Sequence, residues 1–156
     1  MISFLDVTNV IVDVVKILPP SLNKQLHIVQ QDRQELVARL AARHGITLDY
    51  TDASMQDLDR LLERMLAVYA AEGIPTEDLP KSQGVKDVCE LLGFYIAECI
   101  ERNYAKGVWL EQHPDTKRPG LCLKVKSRIV TPADWAMASL TGNSSVWQAY
   151  STFVTA

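Results

Sequence analysis

The chain has 156 residues, of which 47% are apolar and 22% charged, with a formal net charge of -3 and a pI near 5.6. That length suits one domain around one continuous core, and the balance of apolar and charged residues excludes a disordered or fibrous chain. The slight acidic excess gives no global attraction to nucleic acid or to anionic lipid, so neither is expected as a partner.

The opening eighteen residues are apolar but interrupted by Asp6, Asp13 and Lys16, and they carry no basic leader or small-residue cleavage site. They are read as an amphipathic helix rather than a signal peptide or a membrane span. Its apolar side, with Val7, Val10, Ile11, Val14 and Leu18, is expected to pack in the core or to pair two copies as a homodimer. Pro19 and Pro20 stop it. A second helix follows from near Ser21, with Leu22, Leu26, Val29, Leu36, Val37 and Leu40 at helical spacing, and Gly45 as a left-handed cap. Residues 46–51 alternate apolar and polar side chains, which predicts a brief half-buried strand.

Ser54 and Asp57 resemble a capping pair that opens a third helix, with Leu58, Leu61, Leu62, Met65, Leu66 and Tyr69 on one face and Gly73 at its end. The proline-rich stretch 73–80 is a linker. The fourth helix spans about Ser82 to Lys106, and Gly93 and Ala97 allow another element to approach its backbone. Beyond Gly107 the period shortens from 3.6 to 2. Residues 108–111 and 121–130 are predicted as two antiparallel strands joined by the loop from Gln112 to Gly120. Thr131-Pro132 starts a short helix, Gly142-Asn143 breaks it, and a last helix runs from about Ser144 to Phe153.

Motifs for nucleophilic, phosphate-binding or zinc chemistry are absent: the chain has no GxSxG, GxxxxGK[ST], GxGxxG or HExxH. His27, His44 and His113 lack a ligand at helical spacing, so no metal and no cofactor is expected. Cys89, Cys99 and Cys122 are odd in number without CxxC spacing, which points to a reducing, cytoplasmic compartment and to inert thiols. Glu98 and Glu101 share one helix, as an acid and base pair would, but Glu98 also stands four residues before Arg102 in ordinary ion-pair spacing.

Charge is unevenly spread. Residues 49–78 hold eight acidic and two basic side chains, and residues 102–128 hold seven basic and two acidic ones. Alternation along 121–130 puts Lys124, Lys126 and Arg128 on one strand face, a basic ribbon extended by Lys117 and Arg118. Such a ribbon is either a solvated face that discourages aggregation or a docking face for an acidic partner, with Trp109 as its aromatic anchor.

The runs Asp52-Ala53-Ser54-Met55-Gln56-Asp57-Leu58-Asp59-Arg60-Leu61-Leu62 and Leu92-Gly93-Phe94-Tyr95-Ile96-Ala97-Glu98-Cys99-Ile100-Glu101-Arg102-Asn103, leading to Gly107-Val108-Trp109, resemble a family of small bacterial domains of unknown function. The resemblance covers roughly residues 46–153 and implies a helical layer paired with a small sheet. It brings no activity, cofactor or catalytic residue.

These readings predict one α+β domain over residues 1–156, with about four main helices packed on a small antiparallel sheet and short C-terminal helices. Residues 1–45 form a helical pair and 46–156 the body. The expected function is binding of a protein partner, immunity-type or regulatory, by surface masking through Trp109, Lys117, Arg118, Lys124, Lys126 and Arg128. The alternative is a small-ligand binder or enzyme with a pocket between the fourth helix and the sheet, using Tyr95, Glu98, Glu101 or His113. A perturbed buried carboxylate in such a pocket would favour the alternative.

Overall fold

The computed structural model describes residues 30–156. The N-terminal amphipathic helix, the Pro19-Pro20 stop, the start of the second helix and the homodimer through residues 1–18 lie outside the described residues.

The described elements run α1 (Gln30–Arg43), α2 (Ser54–Ala71), a 3-10 turn (Thr76–Lys81), α3 (Gln83–Asn103), β1 (Gly107–Gln112), β2 (Pro119–Val125), β3 (Arg128–Val130), α4 (Pro132–Leu140) and α5 (Val146–Thr155). This is an α+β fold, with helices packed against a three-stranded antiparallel sheet in the order β1-β2-β3. One continuous core joins Leu40, Leu58, Leu62, Leu92, Ile96, Leu123, Val125, Leu140 and Tyr150, all at or below 1% exposure. Burial of that apolar surface is the main force holding the layers together.

The helix ends follow the residues that terminate them. After α1 the amide of Gly45 bonds Ala42 and that of Ile46 bonds Ala41, with Gly45 at φ 70°. The same double closure, Gly73 to Ala70 and Ile74 to Tyr69, ends α2. Both satisfy helix carbonyls that would otherwise lack donors. Ser82 caps α3 by accepting from the Val85 amide, and Ser145 caps α5 by accepting from Gln148.

Three expectations are corrected. Residues 46–51 form no strand: Tyr50 sits at φ 63°, and its amide and carbonyl bond the Tyr95 hydroxyl (2.9 Å) and the Asn103 side-chain amide (2.8 Å). Two side chains of α3 thus take the place of a partner strand. Ser54 is not a helix cap either, because its hydroxyl lies against the Thr51 carbonyl (2.6 Å) and Tyr95 (2.7 Å), while Asp57 pairs with Arg60. Finally, the strand expected over 121–130 folds back at Lys126-Ser127, with Lys126 at φ 57°, giving three strands instead of two. Reversal pairs Val125 with Arg128 and Lys124 with Ile129, so Arg128 shares the inward face of Val125 and not the face of Lys124.

The β1-β2 pairing also slips between Leu110 and Gln112, where β2 carries an extra residue beside Gly120 at φ 127°. A bulge of this kind bends the strand and redirects the side chain next to it, here Leu121. On the other side of the sheet's end, Gly93 of α3 lies against the start of α4. A Cβ on Gly93 would stand 2.7 Å from the Ala133 nitrogen and 2.9 Å from its Cα. The close approach expected from Gly93 is therefore made by α4.

Candidate functional site

A cavity of about 530 Å3 lies between α3, the β1-β2 loop with its bulge at Gly120, and α4. From α3 it takes Lys86, Cys89 and Glu90, which share one helix side at spacings of three and four. From the loop and bulge come His113, Arg118 and Leu121, and from α4 come Ala133, Asp134 and Met137. Its volume falls in the range of small-molecule sites, about 300–1,000 Å3.

Glu90 is the charged group that α3 contributes from a half-buried position. Among the described residues it makes no hydrogen bond and no ion pair. Burial raises its pKa above 4.5, and the nearby Asp87 raises it further. Partial desolvation of a carboxylate costs free energy that a hydrogen bond normally offsets, and Glu90 has none among the described residues. The neighbouring Cys89 thiol is pushed up to about 12, first by burial and then by Asp134. It is therefore a thiol near neutral pH and no activated nucleophile.

The loop that closes the cavity is ordered by its own bonds. The His113 amide donates to the Arg118 carbonyl (3.0 Å), and the Lys117 amide donates to the His113 carbonyl (2.8 Å). The His113 ring Nδ1 accepts from the amides of Asp115 (3.2 Å) and Thr116 (3.3 Å). In the neutral ring this places the proton on Nε2, leaving that nitrogen as a donor. Arg118 reaches across to Asp134 with two nitrogens, at 3.1 and 3.4 Å, and so ties the loop to the first turn of α4. Both side chains are largely exposed, so the pair fixes geometry more than it adds stability.

The residues expected for a basic docking ribbon are dispersed. Lys124 is exposed on β2, and Lys117 is exposed in the loop at φ 59°. Lys126 lies with its ammonium 4.5 Å from the centre of the Tyr104 ring, and Arg128 donates to the Phe153 carbonyl (2.6 Å) and to the Tyr104 hydroxyl (3.2 Å). Trp109 is half-buried against Phe94, with ring centroids 5.1 Å apart. Trp135 and Trp147 are also half-buried and pack on the core.

Tyr95, Glu98, Glu101 and His113 do not share one pocket. Tyr95 and Glu98 look toward α1 and the 46–51 segment, Glu98 accepting from Gln34 (2.6 Å) and Arg102 (2.9 Å). Glu101 accepts from the Gly107 amide (3.4 Å) at the start of β1. His113 lines the other cavity, beside Glu90. The cavity beside the helix Gln83–Asn103 is lined by two carboxylates, Glu90 and Asp134, and not by Glu98. The signal was available in the sequence: a charge three residues before Gly93 must lie next to whatever approaches that glycine.

The acidic stretch is likewise partly consumed inside the fold. Asp59 accepts from the Ser139 hydroxyl (2.7 Å) and from the amides of Val146 (2.7 Å) and Trp147 (2.9 Å), and Asp52 accepts from Tyr150. Among the described residues there is no cluster of three or more metal-ligating side chains, and no helix is long and apolar enough to cross a membrane. Comparison with family models, with curated proteins and with solved structures gives no match, so the likeness to the small bacterial domain family carries no assignment.

Proposed function

We propose that this chain is a small-molecule-binding domain whose site is the cavity between α3, the β1-β2 loop and α4. The observation that carries the reading is Glu90, a half-buried carboxylate without a hydrogen-bond partner among the described residues, facing a cavity of ligand size. A carboxylate whose pKa is raised by burial is of the kind that concentrates in binding and catalytic sites. The apolar surroundings of Cys89, Leu121 and Met137 supply contact area, and the charged and polar groups supply orientation.

The test is a fragment library read by thermal shift against the native chain and a Met137→Trp variant, whose larger side chain fills the cavity. Near-UV circular dichroism of the variant controls for folding. Fragments that stabilise the native protein and lose their effect in a folded Met137→Trp variant support the reading. A library without hits, or hits indifferent to the filled cavity, overturns it.

One observation favours a second reading, binding of a protein partner. Val108, 63% exposed, is the large apolar side chain that stands out in solvent among the described residues. It lies on β1, an edge strand, directly across from exposed Lys124. An edge strand with an apolar residue and a cation offers backbone groups, an apolar contact and charge to an acidic strand of a partner. A stoichiometric partner released by Val108→Asp would support this reading. Retention of the partner by that variant would end it.

A further inference from the structure

The cavity's charges narrow the chemistry of what it would take. This step rests on the small-molecule reading above. Arg118 and Asp134 neutralise each other through their two-point contact. With Nδ1 accepting from two backbone amides, Nε2 is the ring nitrogen of His113 left to donate. Cys89 is a buried thiol, and Leu121, Ala133 and Met137 are apolar. Lys86 is exposed, one helical turn before Glu90, with no ion pair joining the two. Among the described residues, none of these donors bonds the Glu90 carboxylate.

We infer that the cavity accepts a small protonated amine, its ammonium group donating to the Glu90 carboxylate and its apolar body lying against Leu121 and Met137. An ammonium is the group that removes the penalty of the half-buried carboxylate, since it supplies both opposite charge and hydrogen bonds. A carboxylate ligand would instead set two like charges in one half-buried space, which is unfavourable. A neutral alcohol would satisfy Glu90 without the charge attraction and should bind more weakly.

The experiment is calorimetric titration of the full chain with three probes of one shape: benzylamine, benzyl alcohol and benzoate. Each is repeated with Glu90→Gln and with Leu121→Ala, the latter changing apolar contact without touching the charge. The expected result is affinity in the order amine, alcohol, benzoate, with Glu90→Gln weakening benzylamine by about tenfold or more, the size of one charge-assisted hydrogen bond. The same substitution should leave benzyl alcohol within about threefold, since it loses no charge pairing there. Benzoate binding more tightly than benzylamine, or benzylamine binding that ignores Glu90→Gln, overturns the amine assignment while leaving the cavity as a ligand site. If none of the three binds, the amine assignment falls, and the fragment library decides the small-molecule reading separately.

Discussion

Removing the Asp59 carboxylate should be among the most damaging single changes on the polar side of this fold. Asp59 stands in the middle of α2 and accepts three hydrogen bonds, from Ser139 of α4 at 2.7 Å and from the Val146 and Trp147 amides of α5 at 2.7 and 2.9 Å. The two amides belong to the first turn of α5, where backbone donors have no intrahelical acceptor and a negative charge is favoured by the helix dipole. Loss of an N-terminal cap costs about 1–2 kcal/mol, and a charged hydrogen bond to a side chain adds about 1.5 kcal/mol or more. Asp59→Ala should therefore destabilise by about 3 kcal/mol, with water replacing part of what is lost at this half-buried position. Asp59→Asn keeps one acceptor oxygen and gives up the charge, so its cost should be nearer 1 kcal/mol. Urea unfolding at pH 7 measures both, and the slope should stay constant while the midpoint falls. A loss below about 0.5 kcal/mol for Asp59→Ala, or equal losses for the two variants, would refute the claim that this carboxylate anchors α5 to α2.

Gly93→Ala should destabilise by about 1–2 kcal/mol, because overpacking against the Ala133 backbone outweighs the roughly 1 kcal/mol gained in helix propensity; a stability gain would show that α4 does not press on Gly93. Gly73→Ala, where a Cβ meets nothing within 4 Å, should still cost about 1 kcal/mol through its φ of 79° alone. Glu90 has a folded pKa above its unfolded one, so its linkage favours the native state in acid and is lost as pH rises through the folded value. Glu90→Gln should accordingly be more stable than the native chain at pH 7, with the difference vanishing below about pH 4, the range where the unfolded carboxyl is also protonated. A thermal-unfolding series across that range checks the sign, and a variant less stable at pH 7 would show Glu90 to be satisfied in the folded protein. All three cysteines are buried, with Cys89 and Cys99 pushed up to about 12 by desolvation, so a disulfide reagent at pH 8 should label none within minutes under native conditions and three after unfolding.

Much of the helical framework was legible because it rests on local signals. Gly45 and Gly73 close their helices, Ser82 and Ser145 open theirs, and the switch of period after Gly107 marks the sheet. The 46–51 segment misled because alternation is compatible with any extended backbone, and what settles its path is the pair of bonds from Tyr95 and Asn103, 45 and 53 residues away in the chain. The face assignment along 121–130 changed at one turn: with Lys126 in the left-handed region the strand reverses, and every side chain after it changes face. A pocket was expected between the fourth helix and the sheet beside Glu98, and the cavity along that helix is lined by Glu90. Glu98 drew attention through its spacing to Glu101 and Arg102, whereas Glu90 has Lys86 at the same four-residue spacing and forms no ion pair with it, which only the packed structure exposes. Long-range pairings of this kind, Asp59 with α5 above all, are fixed by tertiary contacts that no local pattern encodes.

A small ligand in the cavity beside Glu90 would be read directly by the methionines. The sequence has four, of which Met137 lines the cavity while Met55 and Met65 lie in the core at 0% and 1% exposure. With carbon-13 in the methionine methyl groups, a titration with benzylamine should move the Met137 resonance saturably and leave those of Met55 and Met65 in place. Met55 and Met65 shifting as much as Met137, or Met137 standing still while a ligand is shown to bind, would put the site elsewhere.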